Sequence, residues 1–248
     1  MDLNCDLGEG LDPWQPGVVG TDEALLHVVT SANVACGGHA GDAATMAAVL
    51  RTAAERGVAV GAHVSYADRE HFGRRFLDVP AADLRAQVAV QLEALTAAAA
   101  HAGVRVAYVK PHGALYHALL HHEAHAGAVL DVTRDLPVVG LPGAAVLTEA
   151  ERRGVRAVRE AFADRGYRAD GTLVPRGEDG DLLTDADAVA RRVVRIATEG
   201  RVRAVDGTDV ALDVETVCVH SDTPGAVRLA GDVRAALQAA GVALRAFA

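Results

Sequence analysis

Asp42-Ala43-Ala44-Thr45-Met46-Ala47-Ala48-Val49-Leu50-Arg51-Thr52-Ala53-Ala54-Glu55-Arg56-Gly57-Val58-Ala59-Val60-Gly61-Ala62-His63 holds one complete unit of the fold. Asp42 is an acid placed to cap a helix, and Gly57 is a natural stop for one ending at Arg56. The short apolar run Val58–His63 then reads as a buried strand that ends on a histidine. The same succession repeats in both directions. Further strands are expected at Asp2–Asp6, Ser31–Cys36, Arg105–Lys110, Pro137–Leu141, Ala157–Ala161 and Thr216–His220. Helical segments ending at or just before glycine run over Ala81–Ala102, Ala144–Arg153, Asp185–Glu199 and Gly225–Ala240.

Strand, helix and glycine stop recur about seven times, which predicts βα units and a mostly parallel sheet. The choice lies between an open doubly wound sheet and a closed α/β barrel. No GxGxxG follows the first strand, and polar residues end nearly every strand instead of gathering at one switch point. Both features favour the barrel, as a single domain over residues 1–248. Arg201–Asp213, with valines around Asp206-Gly207, reads as a hairpin insertion.

Half of the 248 residues are hydrophobic and only 4% are aromatic, so the core is built from small aliphatic contacts. The formal charge of −9 and the absence of a concentrated basic face argue against nucleic acid. No apolar run is long enough to span a bilayer, and the opening residues lack the basic-then-apolar pattern of a secretory leader. A cytoplasmic protein with no membrane association is expected. Cys5, Cys36 and Cys218 form no CxxC pair and read as reduced, buried thiols.

The strand ends carry the chemistry. The first supplies Asn4, Asp6 and, past Gly8, Glu9; the second supplies Asn33 and then Cys36-Gly37-Gly38-His39-Ala40-Gly41-Asp42. His63, Lys110-Pro111-His112-Gly113, Glu160 with Asp164-Arg165, and His220 with Asp222 follow. Unpaired charges are costly in a core, so a semi-exposed bowl at the carboxyl ends of the strands is expected to collect them. Blander readings exist: Asp42 as a helix cap, His63 as a core histidine, and Glu160 and Asp164 as partners of Arg165 and Arg176. The tract His117, His121, His122 and His125 reads as a solvated helix face. Imidazole with carboxylate can bind a divalent ion or share acid–base work, and Asp6, His39 and His63 form one metal triad if their strands are neighbours. Lys110, Arg74, Arg75, Arg165 and Arg176 can hold a carboxylate or phosphate. No GxxxxGK[ST] loop occurs, so the chain has no P-loop ATP site.

Leu3-Asn4-Cys5-Asp6-Leu7-Gly8-Glu9-Gly10 resembles the N-terminal signature of the LamB/YcsF family, the A subunits of bacterial 5-oxoprolinase. Matching blocks follow from end to end: Ser31–Gly37 with His39-Ala40-Gly41-Asp42, Gly61-Ala62-His63, Phe72-Gly73-Arg74-Arg75, Val109–Tyr116, Glu160–Arg165, Asp170-Gly171 with Leu173–Arg176, and Cys218-Val219-His220. The resemblance implies a distorted (β/α) barrel similar to polysaccharide deacetylases. It implies ATP-dependent opening of the 5-oxo-L-proline (pyroglutamate) lactam to L-glutamate, with B and C subunits handling ATP, Mg²⁺ and substrate phosphorylation. On that reading Asp6 or Glu9 is the base, and His39, His63 and His112 orient water or polarise the carbonyl. Lys110 and the arginines hold charged oxygens, and Asn4, Asn33, Asp42, Arg75, Glu160, Arg165, Arg176 and His220 bind substrate. The sequence departs from the family pattern at Gly38, Val64, His71, His117 and Ser221, several of them in loops that would shape a pocket.

Two other readings stay open. One is a stand-alone metal-dependent amide or N-acetyl hydrolase; the other is a non-catalytic regulatory subunit. The sequence also leaves open whether a divalent metal is bound and whether the chain forms a homo-oligomer. All site assignments require Asp6, His39, His63, Lys110 and His112 to share one basin.

Overall fold

The computed structural model describes residues 1–10 and 19–248. In chain order its elements are β1 (Asp2–Leu7), α1 (Thr21–Leu26), β2 (Ser31–Ala35), α2 (Ala43–Arg56), β3 (Ala59–His63), α3 (Ala81–His101), β4 (Val106–Val109), α4 (Gly113–Ala118) and α5 (Glu123–Thr133). They continue with β5 (Val138–Gly140), α6 (Ala145–Arg152), β6 (Ala157–Phe162), α7 (Ala186–Glu199), β7 (Arg201–Arg203), β8 (Asp209–Ala211), β9 (Thr216–Val219) and α8 (Ala226–Ala239). Seven parallel strands close a barrel in the order β1-β2-β3-β4-β5-β6-β9. The strand β9 seals it, pairing with β6 on one side and β1 on the other. The hairpin β7–β8 stands apart as a two-stranded antiparallel excursion.

The seven expected strands are the barrel strands. The helices close as the punctuation predicts. Asp42 accepts a hydrogen bond from Thr45 N, and Gly57 ends α2 at φ +66°. Asp185 and Gly200 do the same for α7. Each such acidic cap contributes about 1 kcal/mol. In α2 the residues Met46, Val49, Leu50 and Ala53 are buried at helical spacing, so this face packs on the barrel. Three short helices escape the sequence pattern: α1, α4 and α5. The α4 helix begins at a glycine, and α5 lies in the histidine-rich tract, where polar residues mask an apolar face of Ala126, Val129 and Leu130.

The barrel interior differs from the aliphatic filling usual for this architecture. Side chains alternate across a strand, and in β1 the apolar Leu3, Cys5 and Leu7 alternate with Asp2, Asn4 and Asp6. The polar set makes its contacts with other strands across the interior: Asp2 with Ser31 and Thr216, Asn4 with Asn33 and Glu160, Asp6 with Asn33 and Lys110. Parallel register holds these groups level, with Asp6 opposite Asn33 and Asn4 opposite Cys218. Gly61 makes room for the Tyr108 ring: a Cβ there would lie 2.1 Å from it. Among the described residues, no helix is long and apolar enough to cross a membrane.

Candidate active site

The polar interior is built in tiers. At the base, Asp2 accepts hydrogen bonds from the hydroxyls of Thr30, Ser31 and Thr216. Above it, Asn4 donates to Glu160 and Thr216, and Asn33 donates to Asn4 and Asp6. The Tyr108 hydroxyl donates to Asn33. The next tier is an ion cluster in which Lys110 Nζ lies 2.9 Å from Asp6 Oδ1, 3.0 Å from Glu160 Oε1 and 3.1 Å from Cys218 Sγ. Lys110 is 2% exposed and Glu160 fully buried. The bowl expected from the sequence holds these charges only at or beneath its floor. These charges are in the core, and mutual pairing rather than solvent makes that tolerable.

Burial opposes the charge on Asp6, but His63 and Lys110 outweigh it and hold the carboxyl well below its usual range. Glu9 has no such lysine. Burial and the Asp6 charge push it up to about 7. Burial likewise acts against the Lys110 cation, yet Asp6 and its neighbours raise its pKa well above the ordinary value. In Glu160 burial prevails and the pKa rises, so Asp6 is the stronger partner of Lys110.

At the mouth, three histidines surround Glu9. His63 Nδ1 lies 2.9 Å from the Lys110 carbonyl, and His112 Nε2 lies 2.9 Å from the Phe72 carbonyl. Carbonyls only accept, so both of these nitrogens carry the ring proton. Phe72 reaches this position with φ +54°, followed by Gly73 at +64°. A left-handed phenylalanine is a strained backbone at a site where its carbonyl has a task. A Cβ on Gly73 would lie 2.8 Å from His39 Cβ and 3.0 Å from His112 Cδ2, so the loop presses directly on the histidines. His39 stacks face to face on His112, centroids 3.6 Å apart, and its Nε2 is 3.0 Å from Glu9 Oε1. Burial, then His112, depress the pKa of His39; burial, then His63, do so for His112. Both rings are therefore neutral.

A cavity of about 400 Å³ opens above this floor. Asp6, Glu9, His63, Lys110 and His112 line its depth, and Arg74, Arg165, Arg176, His117 and His220 its wall and rim. Arg165 is held by the carbonyls of Val174 and Asp181, while Arg74 and Arg176 share Asp222. Asp164 does not pair with Arg165: it accepts from His220 Nδ1 at 2.9 Å and from Thr223. Burial disfavours the His220 imidazolium, but Asp164 more than restores it and raises the pKa; Asp164, buried too, is lowered by His220. The His220 contribution is full below an unfolded pKa of about 6.5 and fades as pH rises through the raised folded value. The Tm difference between the wild type and Asp164→Asn should therefore be largest near pH 6 and narrow on titration upward. A gap that widens with pH would exclude this coupling.

Of the residues singled out in the sequence, Asp6, His63, Lys110 and His112 share the cavity, and His39 lies directly behind it against His112. Asn4, Asn33 and Glu160 are buried beneath it as supports. Two residues lie elsewhere. Asp42 is exposed and caps α2, and Arg75 is more than half exposed, 3.6 Å from Asp68 and outside the cavity lining. The solvated reading of the histidine tract fails for one member: His125 is buried between the Tyr66 hydroxyl and the Val79 carbonyl. His117 is exposed to solvent yet lines the cavity, and its pKa is pushed down to about 4 by desolvation there and then by Arg165 and Arg176. Glu9, His39, His63 and His112 bring potential ligand atoms close to one another, while Asp6 bonds Lys110 and Asn33 through Oδ1 and keeps Oδ2 3.5 Å from His63 Nε2. Sequence reasoning missed Phe162, which stacks on His220, and Gln91, which bonds both backbone groups of Ser65 and fills the space above Gly38. The alternation of β6 beyond Glu160 points to Phe162; nothing local points to Gln91.

A closed parallel barrel with convergent ionisable groups at its carboxyl edge is the arrangement of a barrel enzyme. The chain belongs to the LamB/YcsF family, whose model matches residues 1–248. It is 56% identical over 252 residues to the A subunit of 5-oxoprolinase from Streptomyces avermitilis, covering all of both chains. It is 55% identical to that of Mycobacterium avium, covering all of this chain and 98% of the relative. Among solved structures it is similar to the lactam utilization protein from Thermus thermophilus, with 40% identity, a TM-score of 0.89 and 99% of each chain covered. A more distant likeness, to T48 deacetylase at 14% identity and TM-score 0.50 over 98% of this chain and 85% of that one, concerns the fold alone.

Proposed function

We propose that this chain is the A subunit of an ATP-dependent 5-oxoprolinase and that its cavity opens the lactam of 5-oxo-L-proline to give L-glutamate. B and C subunits supply ATP, Mg²⁺ and substrate phosphorylation, in the cytoplasm. The carrying observation is the placement of charge in one small cavity, with an ionised carboxylate and a buried lysine at its floor and arginines at its rim. Such a hollow suits a compact ring that bears a carboxylate. Full-length likeness to proteins named as the A subunit of 5-oxoprolinase supports the same reading.

A lactam is a poor electrophile. Phosphorylation of its oxygen makes the ring carbon open to water. Arg165 and Arg176 hold the substrate carboxylate, the guanidinium fork matching its two oxygens. Water adds to the ring carbon and gives a proton to Asp6 Oδ2, the oxygen not shared with Lys110. The carbon–nitrogen bond then breaks as that proton and the one left on the added hydroxyl pass to the nitrogen, giving an amine and an acyl phosphate. A carboxyl with a depressed pKa yields its proton readily, which suits this second step. The remaining acyl phosphate takes a second water to give glutamate and phosphate. Lys110 stabilises the anionic floor, and His63 and His112 face the reacting carbon. A divalent ion held in this chain would polarise the carbonyl oxygen and acidify bound water.

The test is glutamate release from 5-oxoproline by the purified chain, alone and with the B and C subunits and ATP. Turnover only in the complete mixture is expected. The imidazole–carboxylate cluster favours one second reading, a stand-alone metal-dependent amide hydrolase; ATP-independent release from another amide by the isolated chain would establish it instead.

A further inference from the structure

We infer that His63 Nε2, His112 Nδ1 and Glu9 Oε1 form a binding site for one divalent ion of the zinc class, with its open coordination positions facing the cavity. Backbone carbonyls fix the tautomers of both rings. Those of Lys110 and Phe72 oblige His63 Nδ1 and His112 Nε2 to carry the protons. The two remaining ring nitrogens, His63 Nε2 and His112 Nδ1, therefore present lone pairs to each other at 3.0 Å. Glu9 Oε1 lies 3.4 Å from the second and 3.9 Å from the first, and Asp6 Oδ2 is 3.5 Å from His63 Nε2. Two ring nitrogens and the carboxyls of Glu9 and Asp6 thus converge on one point, an arrangement that a divalent ion at the centre would satisfy.

The spacing fits such an ion. Metal–nitrogen and metal–oxygen bonds of about 2.0–2.2 Å at tetrahedral angles put ligand atoms about 3.3–3.5 Å apart. The three observed edges, 3.0, 3.4 and 3.9 Å, bracket that range. Two imidazoles with one carboxylate favour zinc and its first-row neighbours over magnesium or calcium, which prefer all-oxygen shells. Three protein donors leave positions for water or substrate, and all three residues line the cavity.

His39 has a different part. Its ring is parallel to His112 within 4°, so their in-plane lone pairs cannot meet on one ion. Its Nε2 lies 3.0 Å from Glu9 Oε1 and orients that carboxyl, as outer partners of metal ligands do. The carbonyls of Lys110 and Phe72 play the same part for the imidazoles. A second cluster of Asp78, His122 and His125 carries no site of this kind, since both ring nitrogens of His125 are already bonded to Tyr66 and Val79.

The site belongs to the isolated chain and is tested without substrate, ATP or partner subunits, so its failure is separable from failure of the proposed reaction. Chelator-treated protein is titrated with Zn²⁺ by calorimetry and with Co²⁺ by visible absorption. One ion per chain is expected, with a Co²⁺ spectrum typical of nitrogen and oxygen ligands. Glu9→Gln, nearly isosteric, and His63→Ala should each weaken binding at least 100-fold, while His122→Ala should leave stoichiometry and affinity unchanged. No binding by the wild type, which a shared proton in place of the metal would give, overturns the site. So does binding undiminished in both ligand variants, or lost in His122→Ala.

Discussion

Lys110→Met is expected to lower the Tm of the chain by about 6–20 °C. Lys110 Nζ is the only described cation within 4 Å of Asp6 Oδ1 and Glu160 Oε1. Methionine matches the lysine stem in bulk, so the loss isolates the charge. Removing one member of a buried ion pair costs about 3–5 kcal/mol, because the partner stays desolvated and unpaired. For a domain of this size each kcal/mol moves Tm by about 2–4 °C. The double variant Lys110→Met with Asp6→Asn should recover part of the loss, since it removes a carboxylate that the single variant strands. Thermal unfolding followed by circular dichroism reads both. A single variant within about 2 °C of the wild type would mean the cluster is not held by this charge.

Asp6→Asn is expected to reduce glutamate release by the assembled three-subunit enzyme by about 10²–10⁴-fold, the usual scale for removal of a positioned acid–base group. Asparagine keeps the shape and can still meet Lys110 through its carbonyl oxygen, but it can neither take a proton from water nor return one to the ring nitrogen. The effect should fall on kcat more than on KM, since the proposed mechanism has the substrate carboxylate held at the arginine rim, away from the floor. Steady-state kinetics with saturating B and C subunits measures the split. Turnover within tenfold of the wild type would remove Asp6 from the chemistry and favour a regulatory subunit.

The fold was legible because each unit is punctuated in the sequence. Asp42 and Gly57 bracket α2, Asp185 and Gly200 bracket α7, and apolar runs fill the gaps. The site was legible in part. Asp6, His63, Lys110 and His112 stand at strand ends, and closure of the barrel brings strand ends together. Other features depend on direction, which spacing along the chain does not encode. Asp42 lies in the same polar loop as His39, yet one points to a helix terminus and the other to Glu9. The histidine tract has no strand-end position, but the turn of α4 and α5 sends His117 to the cavity and His125 to the core. The two-residue alternation in Asp2-Leu3-Asn4-Cys5-Asp6-Leu7 holds one more signal, beyond the strand ends: the barrel interior is polar.

The seam of the barrel sets the timetable of its folding. The strand β1 precedes the other barrel strands in the chain, and its partner β9, residues 216–219, follows all of them. Until β9 docks, β1 and β6 each present an unpaired edge, open to strands of neighbouring chains. Asn4 and Asp2 wait for the Thr216 hydroxyl, and Lys110 for the Cys218 sulfur. Completion of the polar interior and protection from aggregation therefore arrive in the same step of folding.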